Sequence, residues 1–337
     1  MKQEMIFQSA RSHLYDLIQN VQPDEFEALA LQVFRFQARY NPLYVKFLDL
    51  LHIDPSRIQR LEAIPCLPIQ LFKQYEIKTG EWPNEAVFSS SGTTGTQTSR
   101  HPVRSLMDYT HNTLRGFEAF YGPLSDYCFV ALLPAYLERE GSSLVYMAEH
   151  FVQWSKYRQS GFYLYDHAAL RNTLAECAEK KIPTVLIGVS FALWDLAEEG
   201  NLNFPELIVM ETGGMKGRRR ELTRVELHEI LTQGLGVPEI HSEYGMTELL
   251  SQAYSKRKGL FHPSPTLRVW TREPNDPLAA TPPARTGVIN VIDLANLDTI
   301  SFIATEDLGK VYADGSFEVL GRLDAGDIRG CNLLVEM

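Results

Sequence analysis

Ala86-Val87-Phe88-Ser89-Ser90-Ser91-Gly92-Thr93-Thr94-Gly95-Thr96-Gln97-Thr98-Ser99 runs from an apolar strand end into a loop made almost wholly of serine, threonine and glycine. Glycines let backbone N–H groups approach an anion closely, and the hydroxyls add neutral donors suited to phosphate oxygens. The same composition also describes a flexible polar loop. A Walker A loop is excluded, because its glycine–lysine spacing does not occur here.

Outward from this loop, short apolar runs (Phe129 to Leu133, Val185 to Ile187, Leu207 to Met210) alternate with helix-period stretches around 105–120, 142–154, 167–181 and 218–232. Such runs read as strands buried on both faces, and the alternation predicts βα units around a largely parallel sheet. Residues 1–80 read as helical. Pro23-Asp24-Glu25 opens a periodic segment through Phe26, Leu29, Leu31, Val33 and Phe36, and shorter runs span Pro42 to Leu51 and Pro68 to Tyr75. After about residue 255 the helical pattern stops. β-like runs follow at Gly287 to Leu294 and Ser301 to Ala304, and Asp314-Gly315 marks a hairpin within Lys310 to Leu320. The expected organisation is a helical part over 1–80, an α/β core over 81–255, a β-rich subdomain over 256–320, and a hinge with a short tail over 321–337.

The 337 residues are 45% hydrophobic and 11% aromatic, which supports a packed core and excludes intrinsic disorder. With 32 basic residues against 42 acidic, the net charge of −10 makes a poor general nucleic-acid binder. No apolar run reaches the length of a membrane span. The opening MKQEMIFQSARSHL has polar residues where an export signal needs an apolar core, so a cytoplasmic protein without membrane insertion is expected. Cys66, Cys128, Cys177 and Cys331 form no CxxC pair and have no histidine at metal-ligand spacing. The first three read as small buried hydrophobes; Cys331 stands apart, near the chain end beside Arg329 and Gly330.

Two further segments carry chemistry. His241-Ser242-Glu243-Tyr244-Gly245-Met246-Thr247-Glu248 sets a lone carboxylate just past a glycine, suited to holding Mg2+ beside phosphates, and Tyr244 offers a flat face to a base. The other reading is a strand end and a turn, then a helix capped by Thr247. Ala304-Thr305-Glu306-Asp307-Leu308-Gly309, followed by Gly321-Arg322-Leu323-Asp324, supplies a carboxylate for ribose hydroxyls and an arginine for the sugar or its phosphate. Alone, each is also an ordinary surface turn. In this order and at these distances, SSGTTG, YGMTE, TEDLG and GRLD resemble the signature of the adenylate-forming (ANL) superfamily of acyl-AMP synthetases. Within it, LLPAYLEREGSSLVYM (132–147), ETGGMKGR (211–218) and the ending GDIRGCNLLVEM resemble the LuxE-type acyl-protein synthetases, over essentially the whole chain.

The resemblance implies an α/β, ANL-type N-terminal domain with a β-rich C-terminal subdomain, acting with ATP and Mg2+. Ser89, Ser90, Ser91, Gly92, Thr93, Thr94, Gly95 and Thr96 would wrap the β- and γ-phosphates. Gly213 and Gly214 would pass against the adenine and Tyr244 would stack on it. Thr247 would contact the α-phosphate, Glu248 would hold Mg2+, Asp307 would take the ribose hydroxyls and Arg322 would support ribose or phosphate. Cys331 would be the acyl acceptor, and the partners would be a fatty or other carboxylic acid and an acyl-protein reductase or other acceptor. The chemistry is coherent in itself. A carboxylate attacks the α-phosphate and expels pyrophosphate, and a thiolate opens the resulting mixed anhydride. Two departures stand out. Gln97-Thr98-Ser99-Arg100 replaces the Pro-Lys that many members carry, and only Leu323 to Met337 follow Arg322, so the usual mobile C-terminal domain and its catalytic lysine are expected to be missing.

Other readings remain open. One is an acyl- or aryl-CoA ligase of the phenylacetate type. Another is an ATP-independent α/β-hydrolase-type acyltransferase using Ser190 of Gly188-Val189-Ser190-Phe191-Ala192, which lacks the second glycine of a nucleophile elbow. A third is a non-catalytic nucleotide-binding subunit. Lys216, Arg218, Arg219 and Arg220 read either as a site for an anionic partner or as a Glu-compensated helix start. His150 reads as a pocket-lining or a satisfied core residue, and Tyr136, Tyr146 and Phe151 are candidates for setting acyl length.

Overall fold

The computed structural model describes residues 2–90, 97–133, 141–213, 219–220 and 222–323. Three helices open the chain: α1 (Lys2–Gln19), α2 (Phe26–Tyr40) and α3 (Pro42–Leu50). The boundary between α2 and α3 is written in Asn41-Pro42. The Asn41 side chain accepts from Tyr44 N at 3.0 Å, and proline fits the first helical position, where no N–H partner exists. The helical reading of 1–80 holds only to about residue 50. Beyond it lie 3-10 turns, the short strand β1 (Leu67–Pro68) and a single turn, α4 (Leu71–Gln74), where a longer run from Pro68 was expected. Asp54, Pro55, Pro65 and Pro68 break the period there, and β1 is recruited by pairing with a strand far away in sequence.

The strands β2 (Ala86–Ser89) and β3 (Arg100–Val103) form an antiparallel pair around the Ser/Thr/Gly loop. Next comes α5 (Leu106–Tyr121), capped by Ser105, and then alternating units: β4 (Cys128–Leu132), α6 (Ser143–Trp154), β5 (Gly161–Phe162), α7 (His167–Glu179), β6 (Thr184–Val189), α8 (Ser190–Glu198), β7 (Ile208–Thr212), α9 (Arg224–Leu235) and β8 (Ile240–Tyr244). β4 and β6 are buried at every position, the continuous apolar pattern of strands covered on both faces. α9 begins later than the expected 218, because Thr223 and Glu226 form a reciprocal capping box; Gly236 then ends the helix in the left-handed conformation.

From β8 onward the strands turn antiparallel: β9 (Ala253–Ser255), β10 (Leu260–Pro263), β11 (Leu267–Glu273), β12 (Asp276–Ala280), β13 (Thr286–Asp293), β14 (Phe302–Val311) and β15 (Phe317–Arg322). The expected hairpin at Asp314-Gly315 joins β14 to β15, with Gly315 at φ +83°. Among the described residues one sheet runs β12-β11-β13-β14-β15-β10-β9-β8-β7-β6-β4-β5, and β1 adds to β14 in parallel. Two cores flank it. One, under α5–α9, covers the parallel half; the other joins α1–α3 to the antiparallel half through Phe34, Tyr44 and Phe302. The N-terminal helices therefore share a core with the β-rich subdomain. Among the described residues no helix is long and apolar enough to cross a membrane.

Candidate active site

At its C-terminal end β8 delivers Tyr244, after which Gly245 to Gln252 turn back into β9. No helix starts at Thr247. The turn is held instead by buried polar groups from other elements. Asp293, at the end of β13, accepts from Leu250 N at 2.7 Å, Ser251 N at 2.9 Å and the Ser251 hydroxyl at 2.5 Å. Asn296 Nδ2 donates to Glu248 O at 2.8 Å. His101, on β3 and fully buried, contacts Thr247 O through Nδ1 at 2.8 Å, which places its proton on Nδ1, and its Nε2 lies 3.0 Å from Thr299 Oγ1. Burial pushes the His101 pKa down to about 4, so the ring is a neutral strut.

The 296–301 segment that carries Asn296 and Thr299 is itself pinned by α2. Gln37 Nε2 donates to Asn296 O and Leu297 O, both at 3.0 Å, and Gln37 Oε1 accepts from Ser301 N at 3.0 Å. Asn41 Nδ2 donates to Thr299 O at 2.8 Å. A line of buried amides thus runs from the N-terminal helices to the backbone of Glu248.

The Glu248 carboxylate, 6% exposed, takes a side-chain hydrogen bond from Ser99 and feels the charges of Arg322 and Lys73. Burial outweighs these and raises its pKa. Ser99 N donates to Ser90 Oγ at 2.9 Å and Ser90 N to Ser99 O at 3.1 Å, closing the neck of the Ser/Thr/Gly loop beside Glu248. Ser89 N donates to Gly141 O at 2.8 Å. Across from Glu248, Tyr244 Oη donates to Asp307 Oδ2 at 2.8 Å, joining residues 63 apart in sequence, and Arg322 Nε lies 3.4 Å from Asp307 Oδ1. Asp307 is 7% exposed; burial raises its pKa, opposed by Tyr244 and Arg322. Arg322 itself is largely exposed.

Ser89, Ser90, Gly213, Tyr244, Thr247, Glu248, Asp307 and Arg322 fall within the described residues. Contacts tie Tyr244, Asp307, Arg322, Glu248 and the Ser90–Ser99 neck into one cluster. Ser91, Gly92, Thr93, Thr94, Gly95, Thr96, Gly214 and Cys331 lie outside the described residues, as do Lys216, Arg218 and Tyr136. Gly213 follows β7 at φ +72°, a conformation that favours glycine, and its carbonyl accepts from Ser190 Oγ at 3.1 Å. The Tyr244 ring is 8% exposed and packs against Phe261 and Phe317.

Ser190 is 3% exposed, and its hydroxyl also bonds Glu211 Oε2 at 3.1 Å. No imidazole reaches it among the described residues; His228 lies against the other oxygen of Glu211 and against Ser242. That arrangement is a buried polar brace under Gly213. Arg219 is ion-paired to Asp195 and Glu198 on α8, so part of the basic cluster is acid-compensated. His150 Nδ1 bonds Tyr146 O at 2.9 Å within α6. Cys66, Cys128 and Cys177 are free and buried.

Sequence reading missed Ser99, His101, Asp293, Asn296 and Lys73. It also missed Glu243, a buried carboxylate held by the Thr212 hydroxyl and raised by burial to about 7. A weak signal existed for some of them, since Asp293, Asn296 and His101 are polar residues inside or beside apolar runs.

No protein-family model and no curated protein matches the chain. Solved structures do. An open conformation of 2-hydroxyisobutyryl-CoA ligase in complex with 2-HIB-AMP and CoA is 14% identical, covering 92% of this chain and 78% of that one at a TM-score of 0.65. ATP-bound MatB from Rhodopseudomonas palustris is 16% identical, covering 70% of this chain and 48% of that one at a TM-score of 0.54. The fold is that of the ANL adenylate-forming enzymes. The chain spans about half the length of the MatB structures it matches.

Proposed function

We propose that the protein activates a carboxylic acid with ATP, forming an acyl-AMP, and passes the acyl group to a thiol. The observation that carries the reading is the meeting of Glu248, Tyr244, Asp307, Arg322 and the Ser90–Ser99 neck at the end of β8. Ranged around one point are a lone buried carboxylate, a hydroxyl-rich loop neck, and a second carboxylate braced by a phenol and a guanidinium. Polyphosphate, metal and ribose call for that set. Of the two similar structures described above, one holds ATP and the other an acyl-AMP, which supports the same chemistry here.

Among the described residues no group of three or more His, Cys, Asp or Glu side chains is placed to hold a metal ion. A divalent cation at Glu248 would draw most of its oxygens from the nucleotide and water, the usual coordination of Mg2+ at a single protein carboxylate. Bound there, Mg2+ would offset charge on the phosphates. The chain's own residues then have defined tasks. Ser99 orients the Glu248 carboxylate, the buried turn fixes its backbone, and Asp307 presents its oxygens with Oδ2 anchored by Tyr244. Acid-dependent ATP–pyrophosphate exchange tests the first step. Its absence with every acid of a fatty and aryl panel would overturn the reading.

For the second step we read Cys331 as the thiol that receives the acyl group, as in LuxE-type acyl-protein synthetases, with delivery to a reductase or another acceptor. The likeness of the segments at 132–147, 211–218 and 326–337 supports it. Intact-mass measurement after incubation with ATP, Mg2+ and fatty acids should show an acyl adduct that Cys331→Ser abolishes while exchange persists. A second reading has the acyl group leave on CoA, favoured by the CoA held in the 2-hydroxyisobutyryl-CoA ligase complex. Free acyl-CoA formed without a protein adduct would select it.

A further inference from the structure

A cavity of about 260 Å3 that contains none of the candidate active-site residues opens between the segment after α3 and the β11–β12 hairpin. Ile53, Ile58, Trp270 and Leu278 form its apolar walls, and Arg272, Asn290 and Glu62 are its polar members. The pleat of β11 turns Trp270 and Arg272 to one face, and Asn290 pairs with Trp270 across β13. Arg272 Nε donates to Asn290 Oδ1 and Nη2 to Thr305 O, both at 2.9 Å. Both acceptors are neutral. Among the described residues no carboxylate forms an ion pair with Arg272. Burial pushes its pKa down, and the one titratable group that opposes this is the thiol of Cys66. A guanidinium has five N–H donors in a planar fork, so three remain for another partner. Leu278, meanwhile, leaves 48% of its surface in solvent.

A half-buried cation without a counter-charge gains from an anionic partner, and the apolar walls beside it favour an anion that carries an apolar group over a strongly hydrated one such as free phosphate. We propose that this cavity binds a small amphipathic carboxylate, with its head on Arg272 and its aliphatic or aryl tail among Ile53, Ile58, Trp270 and Leu278. A cavity of roughly 150 Å3 already takes a benzene ring, so the volume suits a ring or a short chain plus a carboxylate. Glu62 stands exposed at the rim and repels an anion, which limits affinity. The site is independent of the adenylation reading, because no nucleotide group takes part.

Trp270 makes the test direct. The whole chain, without ATP, is titrated with octanoate and with benzoate while tryptophan fluorescence is followed. Saturable binding is expected, with octanol and inorganic phosphate at least ten-fold weaker. Trp270→Phe should remove the signal, and Arg272→Gln should weaken octanoate ten-fold or more, the loss of a charge-assisted hydrogen bond. Leu278→Asp, on the exposed hairpin, should weaken it as much without touching the guanidinium, and Glu62→Gln should tighten it. Octanoate binding unchanged in both Arg272→Gln and Leu278→Asp would overturn the proposal. So would octanol binding as tightly as octanoate, or no saturable binding at all.

Discussion

Glu211 on β7 and the Glu248–Asp307 cluster at the end of β8 both bury carboxylates, and they balance the charge in opposite ways. Glu211 is 3% exposed. Burial favours its protonated form, but the charge of Arg224 and the bond to His228 outweigh that and hold its pKa below the usual range. Arg224 in turn lies over Phe261 at 4.8 Å. Glu248 and Asp307 have a neutral hydroxyl each and share one exposed guanidinium, with the charge of Lys73 added at Glu248, and burial still wins, so both pKa values rise. A compensated acid is structural. Asp293, also raised by burial, gives its lone pairs to the backbone of the turn, whereas on the proposed reading Glu248 and Asp307 keep theirs for a cation or a ligand's donors.

Breaking Arg224 should give the largest effect. Arg224→Ala leaves Glu211 buried without its main counter-charge and should cost about 3 kcal/mol in urea unfolding. A loss under about 1 kcal/mol would erase the contrast. Glu248→Gln should do the reverse: melting within a few degrees of the parent, and ATP–pyrophosphate exchange down roughly 100- to 1,000-fold.

Glu243 sharpens the comparison through pH. Its folded pKa of about 7 lies above the unfolded value near 4.5, so the folded state binds the extra proton between those limits. Stability from this group is therefore full below about pH 4.5 and falls as pH rises to 7, by about 3 kcal/mol for a shift of this size. Asp293, raised to about 6, adds a slope of the same sign. Glu211, with a depressed pKa, stabilises above its unfolded value and loses that contribution as pH falls further. Chemical denaturation from pH 4.5 to 7.5 should show a flatter profile in Glu243→Gln; an unchanged slope would mean that Glu243 is not the titrating group.

Asp307→Asn keeps a partner for Tyr244 and removes the charge. It should raise the KM for ATP in exchange about ten-fold, with kcat less affected. The smallest effect belongs to Ser190→Ala, which removes one hydroxyl from the brace under Gly213 and should cost about 1 kcal/mol with exchange retained. Loss of all activity there, with ATP still dispensable, would revive the hydrolase reading.

Much of this was legible in the residues. The continuous apolar runs of β4, β6 and β7 named their own burial, and the helical period at 105–120, 142–154 and 167–181 matches α5, α6 and α7 closely. The four motifs pointed to Ser89, Ser90, Tyr244, Glu248, Asp307 and Arg322. Residues 51–80 depart from the helical reading because a few apolar residues between prolines imitate helical spacing, while Leu67–Pro68 pair with β14.

The sequence by itself therefore determined the alternating core and offered the candidate side chains, because apolar periodicity and short motifs are local signals. Only the tertiary structure decided what holds them. His101 meets Thr247 across 146 residues, Gln37 meets Asn296 across 259, and Arg272 meets Thr305 across 33. Such bonds leave no periodic trace, since their geometry exists only once elements distant in sequence have packed together. Tertiary packing likewise set the local Ser90–Ser99 neck of the Ser/Thr/Gly loop beside Glu248.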